Sequence, residues 1–237
     1  MNTNPLVSVV IPAFNGEPYL REALGSILNQ TYQPIEIVLI DDGSTDETAT
    51  MLKTLYPSVR YYYQDNAGVG AARNRGVAAA SADYIAFLDA DDYYCDNKLE
   101  LQMGALLKHP DIDIVFGQVK QFHSPELDAQ SRAVIRCPEG LMTGQLPSAM
   151  LCRRHVFDTV GPFETHWKVG QDVNWILRSM EENVPSLVLP DLIYMRRLHK
   201  SNKGITHSDA KGDRLKILKE FLDRKRFRES ENEVADK

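Results

Sequence analysis

The chain has 237 residues, 43% of them apolar, and a formal net charge of −6. The apolar share is ample for a packed core, and the acidic balance excludes a nucleic-acid backbone as partner, because that requires a concentrated basic face. Three cysteines, Cys95, Cys137 and Cys152, are odd in number and outside any paired spacing, which excludes a disulfide framework and a cysteine-based zinc site.

Met1–Pro5 carries no basic region followed by an apolar core, and no run approaches the ~20 apolar residues of a bilayer span, so the expected location is the cytoplasm. Val7–Ile11 is a β-branched run and predicts a strand stopped by Pro12. After Pro18, Tyr19, Leu20, Ala23, Leu24, Ile27 and Leu28 recur at helical spacing. Ile35–Ile40 predicts a second strand, and Ser44-Thr-Asp-Glu47 has the spacing of a capping box that would open a helix running to Leu55. A third strand is expected at Val59–Tyr63, an alanine-rich helix at Gly68–Ala80, a fourth strand at Tyr84–Leu88 and a helix at Leu99–Leu107. Repeated β-α units of this kind imply an α/β fold with a mostly parallel sheet covered on both faces.

The second half is less regular. Ile112–Phe116 predicts a strand, Gln118–Gly140 is polar without a period, and Ala149–Leu151 reads as a short strand. Helices are expected at Arg153–Val160 and Asp172–Glu182, and an edge strand broken by Pro190 at Val188–Tyr194. The basic stretch Asp209–Arg228, with Leu215, Ile217, Leu218, Phe221 and Leu222, predicts a helix that either packs on its own domain or lies on an anionic membrane surface. Glu229–Lys237 is polar and expected to fray. With no linker and no internal repeat, the chain reads as one continuous domain.

Four polar clusters fall at the ends of predicted strands: Pro12-Ala-Phe-Asn15, Asp41-Asp-Gly-Ser-Thr-Asp46, Asn66–Asn74 and Asp89-Ala-Asp-Asp92. In a parallel sheet all four face one edge, where open α/β sheets bind ligands. Neighbouring acids about 4 Å apart repel by roughly 1–4 kcal/mol per pair, so the acidic run either caps a helix or holds a hard divalent cation. Asp41 and Asp42 serve equally as turn residues, and Arg73 either contacts a nucleotide or caps a carboxylate. Gly68-Val-Gly70 lacks a third glycine and follows a polar loop, so it fails the dinucleotide fingerprint; no phosphate loop with lysine is present.

Together Val7–Asn15, Gln30-Thr31, Val38–Asp46, Asn66–Gly76 and Phe87–Asp92 resemble the successive motifs of family 2 inverting glycosyltransferases with the GT-A fold. The resemblance is dense over residues 6 to 100 and thinner through Gly161–Glu164, Gly170–Arg178 and the segment ending at His199. It implies a nucleoside-diphosphate sugar donor, usually uridine-linked, with Mn²⁺ or Mg²⁺. By motif position Pro12, Phe14, Asn15, Asp41, Asp42 and Arg73 would line the nucleoside pocket, with Asp42 facing the base. Asp89 and Ala90 would approach the ribose, Asp91 would ligate the metal with Asp89 and His199 beside it, and Asp92 would face the donor sugar. His199 also reads as an ordinary surface histidine.

Asp172 aligns with the family's catalytic carboxylate, although Gln171 replaces the acid that precedes it there; Asp172 is an equally good N-cap for the helix that follows. The resemblance divides the domain into a nucleotide-sugar half, 1–117, an acceptor half, 118–208, and a C-terminal helix and tail, 209–237. The Gln-x-x-Arg-Trp signature of processive polymerases is absent from the sequence, which favours transfer of a single sugar. The acceptor is expected to be a saccharide, a lipid-linked molecule or a protein, and peripheral membrane contact through the basic helix is a further expectation. The competing readings are a nucleotide-sugar-binding subunit without catalysis, which Gln171 keeps open, and a sugar nucleotidyltransferase. The second lacks its basic glycine-rich loop, since only Arg21 lies near Ala13–Gly16.

Overall fold

The structure is a computed structural model and describes residues 4–202 and 210–235. The strands are β1 (Val7–Ala13), β2 (Ile35–Asp41), β3 (Arg60–Tyr63), β4 (Tyr84–Phe87), β5 (Tyr93–Tyr94), β6 (Ile114–His123), β7 (Met142–Thr143), β8 (Leu151–Arg153) and β9 (Ser186–Leu198). The helices are α1 (Glu17–Leu28), α2 (Thr48–Leu55), α3 (Val69–Ala79), α4 (Lys98–Lys108), α5 (Ala129–Val134), α6 (Val156–Val160), α7 (Gln171–Glu181) and α8 (Ala210–Ala235). The strands form one sheet in the order β3-β2-β1-β4-β8-β6-β9-β5, with β7 attached to β6. Pairing is parallel from β3 through β4; β8 then runs antiparallel to both β4 and β6, and β6 and β9 are parallel. β6 crosses position 117/118, so the two expected halves share one sheet.

β1 explains why the sheet is buried on both sides. Val7, Val9, Ile11 and Ala13 point to the face covered by α1, α2 and α4, and Val10 points to the face covered by α3, α6 and α7. Gly76 lets α3 approach this closely, since a Cβ there would lie 2.1 Å from Val10 Cγ1. Pro12 does not stop β1. The Val10 carbonyl accepts from Leu88 on the β4 side, so the same-side nitrogen of Pro12 lies beyond the end of β4 and needs no hydrogen.

Other expectations are corrected. Ser44 does not cap α2; its Oγ accepts from the Asn15 amide at 2.9 Å, and Asp46 Oδ1 accepts from the Thr48 amide instead. The polar stretch after Gly117 continues β6 to His123, because it finds a partner in Leu192–Leu198 of β9. Arg153 belongs to β8 and not to a helix, pairing with Tyr84 along the otherwise open side of β4. Pro190 sits where the β6–β9 register shifts, with no strand on its other side.

α8 packs on α7 through Ile217, which is fully buried, and through Arg224, whose Nε donates to both carboxylate oxygens of Glu181 at 3.1 Å. It runs to Ala235, through most of the tail expected to fray. Position 209, where that helix was expected to begin, and residues 236–237 lie outside the described residues. Among the described residues no helix is long and apolar enough to cross a membrane.

Lys98 is a fully buried lysine in this core. Its Nζ donates to Gln102 Oε1 at 2.6 Å and to the Met150 carbonyl at 3.3 Å, and it lies 4.2 Å from the Tyr94 ring centroid. Burial without a carboxylate partner lowers its pKa to about 7. The folded state therefore binds fewer protons than the unfolded chain between pH 7 and the ordinary lysine range, and this group's contribution to stability rises with pH through that window. Lys98→Met is expected to raise unfolding free energy more at pH 7 than at pH 9.5, the two gains differing by on the order of 2 kcal/mol. Urea titrations at both pH values check this.

Candidate functional site

The carboxyl ends of β1, β2 and β4 open onto one edge of the sheet, and the loops that follow them interlock. Asn15, at a left-handed φ of 51°, accepts from the Thr45 amide at 2.8 Å, while its own amide donates to Ser44. Asp41 is fully buried beneath this contact. Its Oδ1 accepts from the Ser44 amide and its Oδ2 from Tyr61, both at 2.8 Å, so it holds the turn in shape and presents no free oxygen. Gly43 completes the turn at φ 85°, with the Asn66 amide 2.9 Å from where a Cβ would stand. Asp42 accepts from Gln64 Nε2 at 2.7 Å and from the amides of Ala67 and Gly68 at 2.9 Å. Three accepted bonds leave about one of a carboxylate's four lone-pair positions for a ligand. Pro12 is buried, and Phe14 beside it exposes 46% of its surface at the mouth of the crevice.

The acidic loop after β4 is gripped from two sides. From α3, Arg73 is 4% exposed and donates to Asp89 Oδ1 at 2.7 Å. Burial opposes its charge, but the carboxylates of Asp89 and Asp172 outweigh that and raise its pKa. Its Nε is buried and has no hydrogen-bond partner among the described residues. Arg73 therefore contacts Asp89 and also feels the charge of Asp172, with its ring neighbour Phe163 at 5.6 Å. From β9, Tyr194 donates to Asp92 Oδ2, the Arg197 amide donates to Asp92 Oδ1 at 2.6 Å, and Arg197 Nε donates to the Asp91 carbonyl at 2.9 Å.

Asp92 is thus turned inward with both oxygens engaged. Burial, followed by the charges of Asp91 and Asp89, pushes its pKa well above the ordinary range against the Tyr194 and Arg197 hydrogen bonds. Ala90 is 8% exposed and packs in the core cluster behind the loop. Asp91 meets His199, whose Nε2 is 2.8 Å from Asp91 Oδ2, and Asn202 Nδ2 is 3.2 Å from the same oxygen. His199 is buried against the Tyr19 ring and is not a surface histidine.

Asp172 stands in the first turn of α7. Gly170, with φ 91°, occupies the N-cap, so Asp172 is not the cap. It is partly exposed, its charge acts on Arg73, and its carboxylate accepts no hydrogen bond among the described residues. Gln171 donates from Nε2 to the Trp167 carbonyl at 2.5 Å, tying the preceding loop to the helix.

Among the described residues no three His, Cys, Asp or Glu side chains form a ready metal cage. Asp91, 2.8 Å from His199, is nonetheless a carboxylate of the kind that suits a hard divalent ion, which takes one or two carboxylates and fills the rest of its shell from water and substrate phosphates. A separate open depression of about 490 Å³, lined by Glu22, Ser26, Tyr93 and Asp96 among others, contains none of these groups; the crevice is defined by converging loops. Sequence reading missed Tyr194, Arg197 and Asn202. The one available signal was the pair Arg196-Arg197 beside a predicted edge strand, in a chain whose acidic loop needs cations.

An open α/β sheet with acid-bearing loops at the carboxyl ends of its parallel strands and an antiparallel insertion beyond them defines the GT-A class. The family described as glycosyl transferase family 2 matches residues 8–167, and the chain belongs to that family. It is 41% identical over 112 residues to an uncharacterised glycosyltransferase of Rickettsia typhi, covering 47% of this chain and 35% of the relative. It is 41% identical over 109 residues to one of Haemophilus influenzae, covering 44% of each. It is 37% identical over 123 residues to glycosyltransferase GlyA of Streptococcus pneumoniae, covering 51% of this chain and 18% of the relative. The chain spans less than half the length of each of these relatives. The fold is similar to residues 1–349 of S. aureus TarS in complex with UDP-GlcNAc, with TM-score 0.67 and 20% identity over 85% of this chain and 61% of that one.

Arg73 pairs with Asp89 and its charge is also felt by Asp172, so its loss would leave the Asp89 carboxylate without its cation. Arg73→Met is expected to lower unfolding free energy at pH 7 by on the order of 2 kcal/mol, less than for a fully buried pair because Asp89 keeps 34% of its side chain exposed. Denaturant titration at pH 7 measures the loss.

Proposed function

We propose that the chain transfers a single sugar from a nucleoside-diphosphate sugar, UDP-linked, to an acceptor hydroxyl with inversion at the anomeric carbon. The observation that carries this reading is that the carboxylates come from separate elements: Asp91 meets His199 and Asp89 meets Arg73 in the loop after β4, while Asp172 stands on α7, acts on Arg73 by its charge and takes no hydrogen bond among the described residues. Family membership and the fold shared with the UDP-GlcNAc-bound TarS structure support it.

Inverting substitution needs a base on the face opposite the leaving group. Asp172 removes the acceptor proton, the acceptor oxygen bonds to the anomeric carbon, and the bond to the diphosphate oxygen breaks with its electron pair leaving on the nucleoside diphosphate. Asp91, with Asp89 and His199, would hold Mn²⁺ or Mg²⁺, which when bound offsets the charge of the diphosphate. Phe14 offers an exposed ring for the base, and the remaining lone pair of Asp42 faces a base N–H. Arg73 keeps Asp89 charged and oriented.

Asp91→Asn is expected to weaken Mn²⁺-dependent UDP binding at least tenfold. Asp172→Asn is expected to leave that binding within about threefold and to lower transfer or donor hydrolysis by 10²-fold or more, the scale of a lost general base. Calorimetry with UDP and Mn²⁺, paired with turnover of a donor-sugar panel, measures both; full turnover by the Asp172 variant would remove it as the base.

We further propose that the chain works against an anionic lipid surface at the cytoplasmic face of a membrane, with a lipid-linked acceptor. On α8 the face away from Ile217 exposes Leu215, Leu218 and Leu222 at one helical stripe, bordered by Lys219, Lys225 and Arg226. Residues 210–228 carry eight lysines and arginines against three acids in a chain of net −6. The protein is expected to float with vesicles rich in phosphatidylglycerol and not with pure phosphatidylcholine, and the triple change L215S, L218S, L222S is expected to reduce flotation at least fivefold. Equal flotation of the triple variant would overturn this reading.

A further inference from the structure

We infer that Arg197 is a positioning residue that sets the orientation of the acidic loop for metal–diphosphate binding, an inference that rests on the proposed donor site. Asp89, Asp91 and Asp92 lie within four residues, and at about 4 Å each pair repels by roughly 1–4 kcal/mol, so the loop spreads unless something holds its backbone as well as its charge. Arg73 serves Asp89. Asp91 and Asp92 are held from β9, and Arg197 is the point where that grip converges.

Its contacts divide by function. The main-chain amide donates to Asp92 Oδ1 at 2.6 Å, which turns that carboxylate into the protein. Nε donates to the Asp91 carbonyl at 2.9 Å, and because a carbonyl fixes the plane of its own peptide, this bond sets the direction from which the Asp91 side chain emerges. One terminal nitrogen donates to Glu22 of α1 and the other to Ser124 Oγ at 3.3 Å, so the guanidinium spans α1, the loop after β6, and the acidic loop after β4. The rings of Tyr19 and Phe122 pack against it, each centroid 4.8 Å from the guanidinium carbon. The side chain is 5% exposed.

A planar fork packed against two rings has one orientation, and the Nε–H direction follows from it. Lysine would preserve the charge and part of the ring contact but presents no Nε–H in that direction. The role is therefore geometric: all three guanidinium nitrogens of Arg197 donate to protein groups, and Asp91, together with His199 two residues further along the chain, is aimed through it. Partners of this kind typically change metal affinity by 10- to 100-fold when removed.

The test uses the full chain with Arg197→Met and Arg197→Lys, probed with Mn²⁺ and UDP. Calorimetry is expected to show UDP binding in the presence of Mn²⁺ weakened 10- to 100-fold in both variants, while binding of UDP in chelator changes less than threefold. The lysine variant is expected to keep a melting temperature near that of the unaltered chain, which separates misorientation from general loss of fold. In turnover of a donor sugar the KM for Mn²⁺ should rise in parallel with the binding loss. Arg197→Lys binding Mn²⁺ and UDP as the unaltered chain does would overturn the inference while leaving the donor site intact. Failure of the unaltered chain to bind UDP with Mn²⁺ would instead remove the donor-site reading, and this inference with it.

Discussion

Three carboxylates within four residues, at the end of a strand buried on both faces, repel one another strongly enough that the surrounding fold must supply compensation. It comes from two directions. Arg73 reaches Asp89 from α3 with its charge, and Arg197 reaches the loop from β9 with hydrogen bonds, from its amide to Asp92 and from its side chain to the Asp91 carbonyl; both side chains are almost wholly buried. Each sits against aromatic rings, Phe163 for the first and Tyr19 with Phe122 for the second. The acidic loop is thereby a clamped element with two of its acids tied inward and Asp91 left against His199.

That clamp depends on how the sheet is assembled. α3 delivers Arg73 only because Gly76 lets the helix lie on Val10, and β9 delivers Tyr194, Arg197 and His199 only because it pairs with β6 along its later half. The parallel arrangement of β1, β2 and β4 brings Asn15, Asp42 and Asp89 to one edge, where hydrogen bonds between loops replace any covalent tie. α7 places Asp172 within electrostatic reach of Arg73. The proposed division of labour between a metal–diphosphate end and a separate base uses this split of the carboxylates between the loop after β4 and α7.

Much of the first hundred residues is legible in the chain itself. Strands such as Val7–Ile11 and Ile35–Ile40 are short runs rich in β-branched residues and largely buried on both faces, and the polar clusters that follow them must share an edge if the strands are parallel. The capping box at Ser44 was misleading because a tertiary partner, the Asn15 amide, competes for the same hydroxyl. The strand after Gly117 was illegible because its pairing partner lies some seventy residues away, and no local pattern encodes a ladder of that span. Asp41 and Asp42 look alike in sequence, yet Tyr61 and Ser44 consume the first while the second retains room for a ligand.

Sequence alone determined the class of fold, the edge at which chemistry gathers, and the identity of the acids there, because local periodicity and short motifs are set by nearest neighbours along the chain. Tertiary structure decided which acids have both oxygens engaged, that His199 faces Asp91, that Asp172 is not a helix cap, and that Arg197 holds the acidic loop. Those outcomes depend on which buried group satisfies which other, and in a core every donor and acceptor chooses among partners that are distant in sequence and adjacent only once the sheet has formed.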